Sequence, residues 1–412
     1  MTDVYVIGVG MTCFGSLADL TVADIARGAV TDAIKDSGCN ISDLDAAYFS
    51  NSTQGALQGQ HMIRGQVALR ALGIQSIPIV NVENACASAA TAFNMAYKDI
   101  KSGQSQIVLA VGSEKMIMPD KNATMAVFEG AMDIANAEET MKGLLNMSVG
   151  FEMPPEAMQD SGLRSKFMDV YSAMSCAHMQ EFGTTQRDLA VVAAKNHKHS
   201  VHNSRSQYRK AFSVEEILAA RLVSWPLTLP MCSPVSDGGP AAILCSKEAL
   251  SRFGSKRAIR VSASILVSGS DRVAKDHQRN ITRMAASKAY ESASLGPDEI
   301  SLAEVHDATA FGEIIQSEAL GLCSIGEGGA FATSGATTLG GRVPINPSGG
   351  LESKGHPIGA TGLGQVFELV TQLRGEAGAR QVDAAHHAIA ENGGGIYGVE
   401  EAAAAITILG KK

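Results

Sequence analysis

Hydrophobic and polar positions in the first part of the chain alternate between two periodicities. Short apolar runs at residues 4–10 and 106–111 predict strands, whereas the amphipathic stretch at 22–37, after the capping candidate Thr21, predicts a helix. Strands that alternate with helices are typical of a sheet that is covered by helices. We therefore predict an α/β fold with a mostly parallel sheet.

The alternation is interrupted between residues 119 and 225, where a methionine-rich stretch and a polar, histidine-rich segment follow one another. It resumes after residue 226 and ends with a strand predicted at 402–409. The pattern predicts three parts, which are an N-terminal half (1–118 plus 226–255), an inserted loop domain (119–225) and a C-terminal half (256–412).

The two halves share a feature, because each places a candidate reactive residue where a helix is predicted to begin. This residue is Cys86 in the first half and His356 in the second. In a duplicated βα unit, both helix starts would meet in one central crevice. The free N–H groups of a first helical turn would lower the pKa of the Cys86 thiol and make it a nucleophile, with histidine as the usual base. The alternatives are a buried cysteine that acts as a small hydrophobic residue and a histidine that serves only in a turn.

Composition and charge narrow the function classes. A chain of 412 residues with 45% hydrophobic and 18% charged residues can bury a large core, and a net charge of −8 argues against a general nucleic-acid binder. There is no run of about 20 apolar residues, so we predict no membrane span. The seven cysteines are widely spaced and lack a C-x-x-C pair, which is typical of a reducing compartment and not of a zinc site. With no basic segment before the first predicted strand, we predict a cytoplasmic protein.

Three segments resemble the thiolase superfamily: Asn-Ala-Cys-Ala-Ser at 84–88, Asn-Pro-Ser-Gly-Gly at 346–350 and Gly-His-Pro-Ile-Gly-Ala-Thr-Gly at 355–362. His306-Asp307 and the segment 318–323 are similar to the branch of the sterol-carrier-protein-2 thiolases. The resemblance extends in order from about residue 4 to residue 409. It implies a five-layer α/β/α/β/α fold of two similar halves with a loop domain, as a homodimer or a dimer of dimers.

The same resemblance implies an acyltransferase of lipid metabolism that forms an acyl-enzyme from acyl-CoA. The acyl group would then take part in 3-ketoacyl-CoA thiolysis or in a Claisen-type condensation. The implied partners are acyl-CoA, free CoA or a carbon nucleophile, and in addition a possible small partner protein. The CoA thioester would be a substrate, with no permanently bound cofactor and no metal.

The site residues that the resemblance implies come from both halves. Cys86 would be the nucleophile and His356 its activating base. His306, at a position that is Asn in ordinary thiolases, would support the thioester oxygen. His356 would also help to form an oxyanion hole, and a second oxyanion hole would use the backbone N–H groups of Cys86 and of one glycine at 393–395. A preorganised donor of this kind is worth roughly 3–4 kcal/mol in the transition state. Contacts with the CoA thioester are implied for Ser233, Gly394 and Gly395.

One departure concerns the second cysteine that thiolases use to move the proton on carbon. The two positions where it occurs are Glu391 and Ala308 in this chain, so neither carries a thiol. A carboxylate with a raised pKa can serve as a base, so Glu391 is a candidate substitute, and the alternative is that it is structural. The gap leaves open an aldolase-like reaction, an aryl acylation, or a CoA- or lipid-binding subunit. The segment 195–202 is predicted as a solvated or CoA-facing loop and not as a metal site.

Overall fold

The computed structural model describes residues 2–158, 162 and 164–411. The strands in this part of the chain are β1 (Val4–Met11), β2 (Ala46–Ser50), β3 (Ile79–Val82), β4 (Ile107–Gly112), β5 (Leu222–Ser224), β6 (Leu227–Thr228), β7 (Pro240–Ser246), β8 (Ile259–Ser268), β9 (Leu302–Glu304), β10 (His387–Gly394) and β11 (Ala403–Gly410). The α-helices are α1 (Val22–Ser37), α2 (Gln54–Gln58), α3 (Arg64–Arg70), α4 (Ser88–Ser102), α5 (Lys121–Ala126), α6 (Ala137–Leu145), α7 (Lys166–Phe182), α8 (Gln186–Ser200), α9 (Val214–Leu218), α10 (Lys247–Leu250), α11 (Ile281–Ala293), α12 (Ala310–Ala319), α13 (Gly328–Thr333), α14 (Gly350–Lys354) and α15 (Thr361–Arg374).

The α/β prediction is confirmed, and local sequence signals explain several element ends. The helix predicted at 22–37 begins after Thr21, whose hydroxyl accepts the N–H of Asp24 while the Asp24 carboxylate accepts the N–H of Thr21. It ends at Gly38, whose φ of 72° lies in the left-handed region that glycine adopts at low cost. This reciprocal cap and the glycine stop are sequence-encoded, which is why the predicted bounds match.

Nine strands form one mixed sheet in the order β3-β2-β4-β7-β1-β8-β11-β10-β9, and β5 pairs with β6 separately. The first-half and second-half strands meet where β1 pairs with β8, at Tyr5–Arg260 and Val6–Ile259. This seam is only two residue pairs long. It leaves the two half-sheets free to turn toward each other.

The prediction of a mostly parallel sheet is wrong. Antiparallel pairs join β7 to both β1 and β4, β8 to both β1 and β11, and β10 to β11, whereas the parallel pairs are β2–β3, β2–β4 and β9–β10. A parallel pair needs a crossover, usually a helix, but β10 and β11 are joined by a short connection that reverses the chain. Strand β7 follows the long inserted stretch that begins at residue 119. Its direction in the sheet is therefore not set by a single helical crossover.

Three buried clusters show the five layers that the resemblance implies. Phe93 of α4 and Leu369 of α15 pack in one cluster with strand residues of both halves, so these two helices form the central layer. Ala29 of α1 packs on the outer face of the first half-sheet, and Ala285 of α11 packs on the outer face of the second. The layer order is thus α/β/α/β/α, which confirms the predicted fold class.

The two central helices approach each other closely at Gly362. A Cβ at this position would lie 2.6 Å from the Ala90 nitrogen and 2.5 Å from Asn392 Oδ1. Any side chain here would therefore push α15 away from α4. This contact gives a packing reason for the glycine in the Gly-His-Pro segment and keeps the start of α15 beside the start of α4.

The stretch from 119 to 225 adds mainly helices to this body. Leu189 of α8 and Met179 of α7 form a buried cluster with Phe311 of α12, so the inserted helices pack on the second half. The division of the chain into three parts at the predicted boundaries stays a prediction. Among the described residues, no helix is both long and apolar enough to cross a membrane.

Candidate active site

A cavity of about 600 Å³ brings together residues that lie far apart in the sequence. Cys86 follows β3 and His306 follows β9, and these are the two opposite edge strands of the sheet. Nevertheless, the Cys86 sulfur and one ring nitrogen each of His306 and His356 all lie within 4.8 Å of one another. The facing half-sheets therefore build the shared crevice that the duplicated pattern predicts.

The turn that carries Cys86 is held by hydrogen bonds from its neighbours. Ala85 has a φ of 48°, a left-handed conformation that costs a residue other than glycine ~1–3 kcal/mol. Ser88 Oγ donates to the Ala85 carbonyl at 2.6 Å and accepts the Asn84 N–H at 2.8 Å. Ser52 Oγ also donates to the Ala85 carbonyl, at 3.0 Å. These contacts keep the strained turn, and with it the sulfur, in place.

The prediction of a lowered pKa for the Cys86 thiol is wrong. Helix α4 begins at Ser88, so Cys86 precedes the first turn and does not lie on it. Burial raises the pKa of the thiol to about 12, and the nearby carboxylates of Glu114, Glu83 and Glu401 add to this effect. The resting group is therefore a neutral thiol that requires a base.

His356 is arranged to act as that base. Its Nδ1 lies 2.7 Å from Thr361 Oγ, and the Thr361 hydroxyl donates to the Pro357 carbonyl at 3.1 Å. Because the hydroxyl has one proton, Nδ1 must be the donor to Oγ, which assigns the tautomer with an unprotonated Nε2. Burial lowers the pKa of His356 well below its usual value, and the proximity of His306 and of the Lys354 ammonium adds to this effect. The imidazole is therefore neutral and able to accept a proton.

His306 offers hydrogen-bonding capacity that the described residues do not use. Its side chain is 4% exposed, and neither ring nitrogen has a hydrogen-bond partner among them. Burial lowers the pKa of His306 to about 4, so the ring is neutral and carries one N–H. Its ring centroid lies 5.2 Å from that of His356. An unpartnered buried donor costs about 1–3 kcal/mol and is typical of a group that meets a ligand.

Within the described part of the chain, Cys86, His306 and His356 are the group whose spacing would suit a metal ion. A metal at this place would occupy both the sulfur and the nitrogen that accepts its proton. The site therefore offers a choice between metal binding and covalent chemistry, and both cannot use the same atoms at once.

Glu391 lies behind the cavity wall. It is 0% exposed, and its Oε2 accepts the backbone N–H of His306 at 2.8 Å. Burial, with a contribution from Glu401, raises the pKa of Glu391 well above its usual value. The described residues that line the cavity include Ala308 but not Glu391. The structure thus brings Glu391 to the backbone of His306 and not to the space where a substrate would lie.

The predicted CoA contacts Ser233, Gly394 and Gly395 line the same cavity. At Gly394 a Cβ would lie 2.3 Å from the Asn84 carbonyl oxygen and 2.4 Å from the Ala87 nitrogen. The glycine therefore allows β10 to pack directly against the turn that carries Cys86. This approach is what sets the backbone of Gly394 beside the nucleophile.

The prediction of a solvated or CoA-facing loop at 195–202 is wrong for most of this segment, because helix α8 continues to Ser200. Lys195 Nζ lies 2.8 Å from Glu313 Oε1, and the His199 Nδ1 is 3.1 Å from the Asn346 carbonyl oxygen. These side chains are buried against the second half, where they satisfy its polar groups. The polar composition of this segment favoured an exposed loop. In the structure, buried polar groups of the second half take the place of water as hydrogen-bond partners of these side chains.

Two functional candidates that sequence patterns do not single out also line the cavity. They are Glu401, which lies two residues before the start of β11, and Tyr171 on α7. Glu114 is a third candidate outside the described cavity wall, because its carboxylate accepts the N–H of Thr53 at 3.1 Å and the N–H of Gly359 at 2.8 Å. It thereby links the first half to the loop after His356. The only sequence signal for Glu114 is its place at the end of an apolar strand.

Comparisons with known proteins identify the family. The thiolase N-terminal domain family matches residues 4–217, and the thiolase C-terminal domain-like family matches residues 269–411. The chain therefore belongs to the thiolase family. It is 38% identical to acetyl-CoA acetyltransferase of Methanothermobacter thermautotrophicus over 403 residues. These residues cover 97% of this chain and 98% of the relative.

A second relative is sterol carrier protein 2 of Oryctolagus cuniculus, which is 37% identical over 401 residues that cover 94% of this chain and 69% of the relative. The resemblance to the sterol-carrier branch is thus confirmed. Among solved structures, an Ltp2-ChsH2(DUF35) aldolase superposes with a TM-score of 0.76 at 21% identity, covering 99% of this chain and 97% of that chain. At this identity the likeness concerns the fold alone.

Proposed function

We propose that this thiolase-family acyltransferase takes an acyl group from acyl-CoA onto Cys86 and uses it in 3-ketoacyl-CoA thiolysis or in Claisen-type condensation. The observation that carries the proposal is the group of Cys86, His306 and His356, whose sulfur and nitrogen atoms lie within 4.8 Å of one another at one cavity. A nucleophile, a neutral base and an unused buried donor are the parts that acyl transfer requires.

In this mechanism His356 Nε2 accepts the proton of the Cys86 thiol as the sulfur attacks the thioester carbonyl. The negative charge that develops on the carbonyl oxygen is stabilised by the N–H of His306. Backbone N–H groups of Cys86 and of the glycine segment at Gly394 and Gly395 form the second donor set. Glu391 is then a positioning residue, because it fixes the backbone at His306.

The proposed substrate is a CoA thioester that leaves after each turnover, with no permanently bound cofactor and no metal. Apolar side chains from the inserted helices, among them Phe128, Phe167 and Met174, line the cavity and suit an acyl chain. Ser233, Gly394 and Gly395 are proposed to contact the CoA arm. We further propose a homodimer or dimer of dimers that takes part in lipid metabolism in the cytoplasm, where the seven free cysteines would stay reduced.

A different carbon–carbon reaction is the second candidate. It is favoured by Ala308, which lines the cavity where the sterol-carrier branch has a cysteine. An aldolase-like reaction needs no acyl-enzyme and therefore no Cys86 thiol. A subunit that only binds CoA or lipid would need none of the three reactive groups, which argues against that alternative.

Intact-mass spectrometry after incubation with acyl-CoAs of increasing chain length tests the acyl-enzyme. The protein should gain one acyl mass, and the modified peptide should contain Cys86. Cys86→Ala should abolish the adduct and lower turnover on the order of 10⁴-fold or more. Cys232 lines the same cavity, so Cys232→Ala is the matched control and should acylate normally. Absence of an adduct with every acyl-CoA would contradict the proposal.

A further inference from the structure

The carbon–carbon step needs a group that moves a proton on carbon, and the predicted places do not supply one. Ala308 has no titratable group, and the carboxyl of Glu391 is held behind His306. The described cavity wall contains three other carboxyl groups, those of Glu83, Glu400 and Glu401. Each can be judged by its contacts.

Two of these three carboxyl groups, those of Glu83 and Glu400, have contacts that make them poor candidates for the acid and base. Glu83 is exposed, and its Oε1 accepts the N–H of Ala85 at 2.5 Å. Glu400 forms a buried ion pair with Arg272 and also accepts the N–H groups of Ser270 and Ile281, both at 3.0 Å. A carboxylate that is neutralised by a buried guanidinium is a poor base. Glu401 is therefore the candidate that the cavity wall leaves.

Glu401 lines the same cavity as Cys86, His306 and Ala308. A Cβ at Gly393 would lie 2.7 Å from Glu401 Cγ and 3.1 Å from its Oε1, so the carboxyl lies against the backbone of Gly393. The next residue, Gly394, packs against the two residues that flank the Cys86 turn, as described above. Successive strand residues face opposite sides, so these two contacts lie on opposite sides of β10. The cavity at the end of this strand is what Glu401 and Cys86 share, because both line it.

Its electrostatic surroundings suit an acid and base. Glu401 Oε1 accepts a hydrogen bond from Gln316 Nε2 at 3.0 Å, which orients the carboxyl without neutralising it. Burial raises the pKa of Glu401 above its usual value. The charge of Glu401 in turn raises the pKa of Cys86 and of Tyr171, which line the same cavity.

We propose that Glu401 is the catalytic acid and base of the carbon–carbon step, in the place of the missing second cysteine. This inference rests on the proposed acyltransferase function and adds the residue for its second half. The Glu401 carboxyl would contact the α-carbon of the CoA thioester that leaves or attacks at Cys86.

The protons balance in both directions. In thiolysis, His356 takes the Cys86 proton, the sulfur bonds to the 3-keto carbon, and the carbon–carbon bond breaks. The α-carbon of the released thioester receives its proton from the Glu401 carboxyl. Incoming CoA gives its thiol proton to the Glu401 carboxylate as its sulfur takes the acyl group, and His356 returns the first proton to Cys86. Condensation reverses these steps, with the Glu401 carboxylate removing the α-proton.

Deuterium exchange at the α-carbon of acetyl-CoA in D₂O separates this step from acyl transfer. Wild-type protein should exchange the α-hydrogens, as followed by mass spectrometry. Glu401→Gln keeps the shape of the side chain and should slow exchange and condensation at least about 100-fold, the lower range for a lost acid–base group. The acyl adduct on Cys86 should still form. Glu129→Gln, at an exposed ion pair with Lys166, is the control and should exchange normally.

Each outcome decides between the two proposals. Normal adduct formation with wild-type exchange in Glu401→Gln would overturn the role of Glu401, and loss of exchange in Glu391→Gln alone would transfer the role to Glu391. A wild-type protein without any adduct would instead overturn the acyltransferase proposal. Should Glu401→Gln fail to fold, Glu401→Asp withdraws the carboxyl by one methylene group and keeps its charge. It should exchange at least about tenfold more slowly, and an unchanged rate would refute the proposal.

Discussion

The acylation side and the carbon side of this cavity are built in different ways. On the acylation side, Cys86, His306 and His356 lie within 4.8 Å of one another, and all three stand in or beside segments that resemble thiolases. On the carbon side, the residues at the two family positions are Ala308 and Glu391, and Glu401 is the residue of the described cavity wall that we propose for proton transfer. The chemistry of the first side can thus be recognised from sequence, whereas that of the second must be found in three dimensions.

This difference has a physical origin. Formation of a thioester demands a nucleophile, a base and an oxyanion donor in fixed mutual geometry, so few residue types serve. Proton transfer at carbon demands only a group of suitable pKa within reach, and a buried carboxyl can meet that demand as well as a thiol. The carbon side therefore tolerates a change of both residue type and chain position.

The largest effect on the acylation side, after loss of Cys86 itself, is expected at His306. His306→Ala removes the unpartnered donor and should lower the rate of acyl-adduct formation about 10²–10³-fold, as for other oxyanion donors. His306→Asn restores an N–H donor of the kind that ordinary thiolases have and should recover part of this loss. Stopped-flow release of CoA upon acylation measures the rate.

Binding of acyl-CoA is the control for these two His306 variants. The alanine variant should lose acylation much more than it loses binding of acyl-CoA, which equilibrium dialysis reports. Equal acylation rates for wild type and His306→Ala would show that the oxyanion donor lies elsewhere and would weaken the distinction between the two sides.

The sequence predicts the five-layer fold and the candidate catalytic group because both follow from local signals. The helix at 22–37 has its own cap and stop, and the Cys86 and His356 segments carry glycines that close packing requires. By contrast, Glu401 reaches the cavity only because β11 pairs with β10, so that its side chain lies on Gly393. Such a contact depends on tertiary register, and no spacing along the chain encodes it.

The pKa of Cys86 could not be predicted from its own segment for a similar reason. The carboxylates that raise it, Glu83, Glu114 and Glu401, come from three separate parts of the chain. The antiparallel entry of β7 and β11 and the burial of His199 likewise depend on partners remote in sequence. Local pattern gives the identity of these groups, and the assembled fold gives their surroundings.

The pH dependence of Cys86 reactivity tests whether His356 activates a neutral thiol. With the thiol pKa at about 12 and the His356 pKa well below 6.5, neither group changes protonation between pH 6.5 and 8.5. The fraction present as a thiolate–imidazolium pair is then independent of pH. We expect the negative charge of the thiolate to keep the transferred proton on His356, so that this pair is the main reactive form of Cys86. Alkylation by iodoacetamide should then vary less than about twofold across this window, because only the thiolate reacts.

His356→Gln should remove this plateau. Without the base, the thiolate fraction of a thiol that titrates above the window rises about tenfold per pH unit, which gives roughly a 100-fold increase over two units. Quantitative peptide mass spectrometry of the Cys86 peptide measures both proteins. A tenfold slope per unit in the wild type would mean that His356 does not hold the proton of Cys86 in a stable thiolate–imidazolium pair.

The smallest expected effect on activity concerns Glu114, which joins the two halves around the cavity. Its carboxylate, 0% exposed, accepts N–H groups of Ser52, Thr53 and Gly359 between 2.8 and 3.1 Å. Glu114→Gln replaces one acceptor oxygen by a donor that faces other donors. The free energy of unfolding should fall by about 1–3 kcal/mol, the cost of unsatisfied buried groups.

Acylation should also slow a few-fold in Glu114→Gln, because the loop after His356 loses a hydrogen bond to the half of the protein that carries Cys86. Deuterium exchange at the α-carbon of the bound thioester should change less. Glu368→Gln is the matched control: this buried carboxylate pairs with Arg380 within the second half and lies outside the described cavity wall. It should lower stability without slowing acylation. Urea unfolding and adduct kinetics would separate the two variants, and equal acylation in both would show that Glu114 stabilises the fold without aligning the two halves.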